Sequence, residues 1–161
     1  MKFVVDCMLG KLAKWLKILG FDTLYFRKIE DSELLALAQK ERRVLLTRDV
    51  NLLQKSRNLP SLFIRNSNWD SQLLQVLNEL NLWKKVQPNT RCIHCNQRLK
   101  SLPKKRARNL VSPFVYESAR SFAICPQCGK VFWQGTHFRD MEIKIEELFR
   151  ERNELKNEKE D

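Results

Sequence analysis

The sequence predicts an α/β fold, a parallel sheet flanked by helices, with a small cysteine-built segment and a terminal helix after it. Three observations predict it. Short β-branched and aromatic runs alternate with helical periodicity from Phe3 to Leu82, the pattern of a parallel sheet covered on both faces. Two Cys-x-x-Cys pairs follow, Cys92 with Cys95 and Cys125 with Cys128, with 29 residues between them. Beyond these, Phe138, Met141, Ile145, Leu148, Phe149 and Leu155 recur at three- and four-residue spacing, as in an amphipathic helix. The expected division is an α/β domain over 1–86, a ribbon over 87–136, and a helix over 137–161 that packs back on the first domain.

Element by element, Phe3-Val-Val5 reads as a buried strand ending at Asp6. Leu9, Leu12, Ala13, Leu16 and Leu19 then lie on one helical face, and Gly20 ends that helix. Asp22–Phe26 is a second strand, and Asp31-Ser-Glu33 opens a helix carrying Leu34, Leu35, Leu37 and Ala38. Val44–Thr47 is a third strand, followed by Arg48-Asp49 and a short helix with Leu52 and Leu53. Leu62-Phe-Ile64 is a fourth strand and Ser71–Leu82 the helix after it. Residues 84–89 have no periodicity and read as a linker. Thr136 is an N-cap candidate for the terminal helix, whose end over 157–161 is expected to fray.

The chain of 161 residues carries 30 Lys and Arg against 19 Asp and Glu, a formal charge of +11. Residues 91–139 hold 10 of those cations against the single acid Glu117. A basic block this concentrated points to a polyanion, nucleic acid first. No apolar run approaches the length of a membrane span, and Asp6, Lys11, Lys14 and Lys17 interrupt any secretory signal. The expectation is a soluble, cytoplasmic protein with no membrane partner. Five cysteines, four of them in two close pairs, argue for metal binding in a reducing compartment rather than disulfides. Cys7 reads as a small buried apolar residue.

Each Cys-x-x-Cys pair lets two thiolates from one tight turn reach a single ion. Four soft thiolates in a closed tetrahedral shell select structural Zn²⁺, so Cys92, Cys95, Cys125 and Cys128 are its expected ligands. His94 and His137 are read as structural. Between the pairs, Lys104, Lys105, Arg106 and Arg108 form a basic run expected to be a solvated loop that touches phosphates. Phe114, Tyr116, Phe122, Phe132 and Trp133 are interleaved with it, most of them expected to pack on the small ribbon core.

In a parallel sheet every strand-to-helix loop lies at one edge. Asp6, Asp31 and Asp49 therefore reach the same crevice, whereas Asp22 enters its strand from the other edge. Each of the three also precedes a helix, where Asp is a favoured N-cap. Spacing alone leaves a metal site and plain capping both open. Lys11, Lys14 and Lys17 stripe one side of the first helix, read either as substrate contacts or as a solvated face. Arg48 can pair with a phosphate or with a neighbouring carboxylate.

Asp6-x-Met-Leu-Gly-x-Leu-Ala-x-Trp-Leu-x-x-Leu-Gly-x-Asp-Thr23, Leu-Thr-Arg-Asp49, Arg91-Cys-x-x-Cys-Asn96 and Cys125-x-x-Cys-Gly-Lys-Val-x-Trp133 together resemble the Mut7-C ribonuclease domain family. The resemblance spans about residues 2–149 and implies a PIN-like nuclease fold carrying a zinc ribbon. It implies RNA hydrolysis with Mg²⁺ or Mn²⁺ held by Asp6, Asp31 and Asp49, with Glu30 and Glu33 beside Asp31 as competitors for its role. Lys11, Lys14, Arg48, Lys104, Lys105, Arg106 and Arg108 would then hold the RNA. The alternative is a non-catalytic RNA-binding module whose aspartates only cap helices. A phosphoacceptor receiver domain lacks here its second acid beside the first and its lysine after a fifth strand.

Overall fold

The structure, a computed structural model, describes residues 1–157, with side chains of the last helix described as far as Asn153. Of the end expected to fray over 157–161, Asn157 is the last residue of the helix and 158–161 lie outside the described residues, as does the Leu155 side chain. Two units divide the chain, residues 1–97 and 98–161.

In the first unit, strands β1 (Lys2–Val5), β2 (Asp22–Tyr25), β3 (Val44–Thr47) and β4 (Ser61–Phe63) form one sheet in the order β2-β1-β3-β4. Every neighbouring pair is parallel. The connecting helices are α1 (Gly10–Ile18), α2 (Asp31–Lys40), α3 (Val50–Lys55) and α4 (Trp69–Glu79), so the predicted fold is the observed one. Alternation assigns the two faces. Val4 and its register neighbour Leu45 pack with Leu34 and Ala38 of α2 and Leu52 of α3. On α1 and α4, Trp15 and Trp69 stack at 4.8 Å with their planes 11° apart.

The amino edge of this sheet is organised by Asp22. Its carboxylate pairs with Arg43 at 2.6 Å and Arg91 at 3.6 Å and accepts from the Asn96 amide at 2.8 Å. Asn96 Oδ1 in turn accepts from the Thr23 backbone N–H at 2.9 Å. Arg91 donates to the Gly20 and Asn96 carbonyls, while Gln87 and Asn89 donate backbone N–H bonds to Leu19 and Ile18. The segment 87–97, expected to be a linker and half a knuckle, is thus bonded to the end of α1 and the start of β2. Gly20 is required there: its φ of +91° is left-handed, and a Cβ would collide with the Gln87 carbonyl.

The second unit contains β5 (Lys100–Leu102), β6 (Phe122–Ile124) and β7 (Val131–Trp133), antiparallel in that order. Helices α5 (Lys104–Ala107) and α6 (Pro113–Ser118) lie between β5 and β6, and α7 (Thr136–Asn157) closes the chain. Leu102, Ala107, Ala119 and Phe122 form its small core. The basic run is therefore a helical turn rather than a loop, because Pro103 starts it and Ala107 gives it an inward contact. Thr136 is the first helical residue, not the cap before it.

Burial alone would raise the Asp22 carboxyl pKa, but hydrogen bonds from Arg43 and Asn96 and the charges of Arg43 and Arg91 outweigh it and hold it below the usual range. A depressed carboxyl pKa contributes stability above about pH 4 that is lost as pH falls through the folded value. Asp22→Asn is expected to cost roughly 2 kcal/mol at neutral pH and to flatten the acid limb of the melting temperature against pH, measured by thermal denaturation. An unchanged acid limb would assign that stability to other carboxylates.

Candidate functional site

Two groups of side chains have the chemistry of a site. The first is the cysteine set. Both pairs make the same turn: the Asn96 N–H bonds the Cys92 carbonyl at 2.9 Å and the Gly129 N–H bonds the Cys125 carbonyl at 3.0 Å. The Cys92 and Cys125 N–H groups close the turns onto Gln97 and Lys130. The residue after each second cysteine is left-handed, with φ 65° at Asn96 and 71° at Gly129, where Asn and Gly are the residues that tolerate it. Gly129 needs only the backbone freedom, since a Cβ there would meet open space. Asn96 adds the two hydrogen bonds to β2.

All four Sγ atoms lie within 4.8 Å of one another. Cys92 and Cys95 Sγ are 3.6 Å apart, far longer than a disulfide and close to the edge, about 3.8 Å, of a tetrahedron with zinc–sulfur bonds of about 2.3 Å. These four cysteines can hold a structural metal such as zinc. Lys17 donates to the Ile93 carbonyl at 3.4 Å and is 8% exposed. Burial pushes its ammonium below the usual value and the Cys92 and Cys95 thiolates pull it part of the way back. Lys17 thus leaves the solvated stripe, because its stem crosses α1 toward the first cysteine turn. His94 and His137 lie at the surface.

The second group lies at the carboxyl edge of the parallel sheet. Register places Val5 beside Leu46, so the next residues, Asp6 and Thr47, are neighbours. The Thr47 hydroxyl donates to Asp6 Oδ2 at 2.8 Å and accepts from the Asp49 N–H at 2.9 Å. Thr47 is the link that sequence reasoning missed. Its signal was a polar residue ending an apolar strand, one position before the arginine and aspartate.

The three aspartates do different work. Asp49 is a true N-cap, accepting from the Asn51 and Leu52 N–H groups at 2.7 and 3.2 Å. Asp31 is the first residue of α2, with Glu30 before it as the cap position, and its half-exposed carboxylate pairs with Lys55 of α3 at 2.7 Å. Lys55 is held above its usual pKa by the Asp31 hydrogen bond and charge, with a smaller contribution from Asp49. Nothing in the spacing marked Lys55, 24 residues from its partner. Asp6 precedes a 3₁₀ turn, Cys7–Leu9, without capping it, and is only 6% exposed. Capping therefore accounts for Asp49 alone. Among the described residues, the cysteines are the donors that converge on one point; the three aspartates do not converge so closely.

Around this edge, Cys7 is exposed, not buried as expected, because the chain turns outward after β1. The Asp6 carboxylate, by hydrogen bonding first, then burial and Asp6's charge, holds the Cys7 thiol above its usual pKa, which makes it a poor nucleophile. Tyr25 Oη donates to the Cys7 carbonyl at 3.0 Å. Its ring lies so close that a Cβ on Gly10 would come within 2.8 Å of the hydroxyl. Lys11 Nζ lies over the Trp69 ring at 4.8 Å, Lys14 is exposed and Arg48 is half-buried. In the second unit, Lys104 donates to the Ala119 carbonyl at 3.2 Å and lies over Tyr116, whereas Lys105, Arg106 and Arg108 are exposed.

No helix of the described residues is long and apolar enough to cross a membrane. No curated protein and no solved structure matched the chain. A family model, the Mut7-C RNAse domain, matched residues 1–145. With both cysteine turns and the whole parallel sheet inside that match, the chain belongs to the Mut7-C RNAse domain family.

Proposed function

We propose that the protein is a metal-dependent ribonuclease that hydrolyses RNA phosphodiester bonds at the carboxyl edge of its parallel sheet, in a reducing, cytoplasmic compartment. Asp6 is the observation that carries this reading. A buried carboxylate costs several kcal/mol unless a cation compensates it. Among the described residues the ion pairs engage Asp22, Asp31 and others, and Asp6 has neutral partners instead, the Thr47 hydroxyl and the Cys7 thiol. Its oxygens are hard donors that suit Mg²⁺ or Mn²⁺.

Asp6 and Asp49 would hold the ion, with Asp31 added once Lys55 gives way. A bound Mg²⁺ or Mn²⁺ would supply hydroxide near neutral pH and neutralise charge developing on the phosphate. Thr47 fixes the orientation of Asp6 and the backbone of Asp49 through its two hydrogen bonds. Lys11, Lys14 and Arg48 contact the phosphates flanking the scissile one, while Lys104, Lys105, Arg106 and Arg108 bind the strand further along. Zinc on Cys92, Cys95, Cys125 and Cys128 is structural, since four thiolates leave no open position.

Asp6→Asn and Asp49→Asn separate this reading from a binding module. Asn caps helices about as well as Asp but is a much poorer ligand for hard cations. Each variant is expected to lose Mn²⁺-dependent cleavage of single-stranded RNA by more than about 100-fold while RNA binding persists. Asp6→Asn is also expected to raise thermal stability in metal-free buffer, because a buried charge is removed. Full cleavage by both variants would make the RNA-binding module the better account.

Metal analysis of protein purified without added zinc is expected to give about one zinc per chain. Two disulfides among these cysteines in reducing buffer would overturn the zinc assignment.

A further inference from the structure

Phe114 is 80% exposed, the most exposed large apolar side chain of the described residues. Its neighbours explain why the ring faces outward. Val115 and Ala119 of the α6 segment pack on the core formed by Leu102, Ala107 and Phe122, and a helix rotates about 100° per residue. Residue 114 therefore faces away from that core. The backbone beneath the ring is fixed: the Ser112 hydroxyl caps α6 at the Val115 N–H, Pro113 occupies its first turn, and Ser118 Oγ donates to the Phe114 carbonyl at 2.7 Å. Lys104 ties α5 to this helix through the Ala119 carbonyl and the Tyr116 ring.

Cations flank the ring along the chain. Lys105, Arg106 and Arg108 precede it and Arg120 follows it, all exposed, against the one acid Glu117. Leu110, 53% exposed, lies in the turn between the two helices. An exposed aromatic ring on a capped helical turn, in a segment rich in exposed cations, suits a polyanion that also offers flat apolar faces. Unpaired bases have such faces, whereas a duplex hides them in its stack. An anionic membrane fits less well, because α6 has six residues and turns its aliphatic side inward, leaving no broad apolar face.

We propose that Phe114 is a base-stacking platform, with Lys105, Arg106 and Arg108 on the adjoining phosphates, and that it makes single-stranded RNA the substrate class. The proposal rests on the ribonuclease reading above and deepens it. Stacking and phosphate contact leave different signatures: a lost ring lowers affinity without changing its salt dependence, whereas lost cations flatten that dependence.

The test measures binding of the full chain, without added Mg²⁺ or Mn²⁺, to a short single-stranded oligoribonucleotide and to a blunt RNA duplex of the same sequence. Phe114→Ala is expected to weaken single-strand binding about tenfold, leave duplex binding and the salt slope unchanged, and be rescued by Phe114→Trp. Its melting temperature is expected to match the parent, since the ring is exposed. Joint neutralisation of Lys105, Arg106 and Arg108 is expected to flatten the salt slope. Unchanged single-strand binding by Phe114→Ala, or an equal loss on the duplex, would overturn the platform while leaving the ribonuclease reading intact. Loss of binding to phosphatidylserine vesicles with RNA binding retained would reassign the ring to a membrane. A parent protein that binds no RNA at all would remove the RNA-holding role of the basic segment, and the platform with it.

Discussion

The Asp22 carboxylate is the constraint on which the amino edge of the first unit depends. It satisfies Arg43 before β3 and Arg91 and Asn96 on either side of the first cysteine pair. Three donors converging on one partly buried acid fix each other's positions, because removing the acid takes from a guanidinium with 5% exposure one of its two acid partners and leaves it Glu41 alone. A consequence follows for Cys92 and Cys95. A Cys-x-x-Cys turn has little structure of its own, and here Asn96 hydrogen-bonds a strand end while Arg91 holds the preceding turn. The turn that carries these thiolates is thereby braced by contacts independent of a metal, which lowers the ordering cost of binding one.

This arrangement gives physical content to residues of the motifs on which the resemblance to the family rests. Gly20, Asp22 and Thr23 look like a helix stop and a strand start, and Arg91 and Asn96 look like flanks of a metal ligand pair. Seventy-four residues separate Asn96 from Asp22, and spacing says nothing about a contact over that distance. The parallel sheet itself was legible, because hydrophobic periodicity is local and each strand and helix is short. The positions of Asp6 and Asp49 were legible for a related reason: topology sends every strand-to-helix loop to one edge. Asn96 could have been found by comparing the two turns, since it occupies the position that Gly129 fills in the second.

Other features were not legible because they depend on where long side chains end. Lys17 has the same spacing as Lys11 and Lys14, yet its side chain is buried and its ammonium bonds the first cysteine turn. Lys11 instead rests on Trp69. A lysine stem of four carbons reaches either destination from one helix face, so periodicity cannot choose between them. Cys7 failed for the converse reason. Its residue type favours burial, but the 3₁₀ turn after β1 points it outward beside Asp6.

One residue type, aspartate, performs three energetically distinct tasks along the carboxyl edge. At Asp49 the charge is answered by backbone N–H groups and the positive end of α3. At Asp31 it is answered by Lys55 in a solvent-exposed pair, which contributes little to stability and is readily exchanged. At Asp6 a hydroxyl is the main answer, and the group is nearly excluded from water. A fold under no other demand would replace Asp6 with an apolar or neutral side chain of similar size, since β1, which ends just before it, is fully apolar after Lys2 and Asp6 itself is buried. A buried carboxylate costs stability, and here the Thr47 hydroxyl fixes its orientation. Under the proposed ribonuclease reading, that is the trade between stability and function expected at a metal-binding residue, and it sets Asp6 apart from the better-satisfied Asp49 and Asp31.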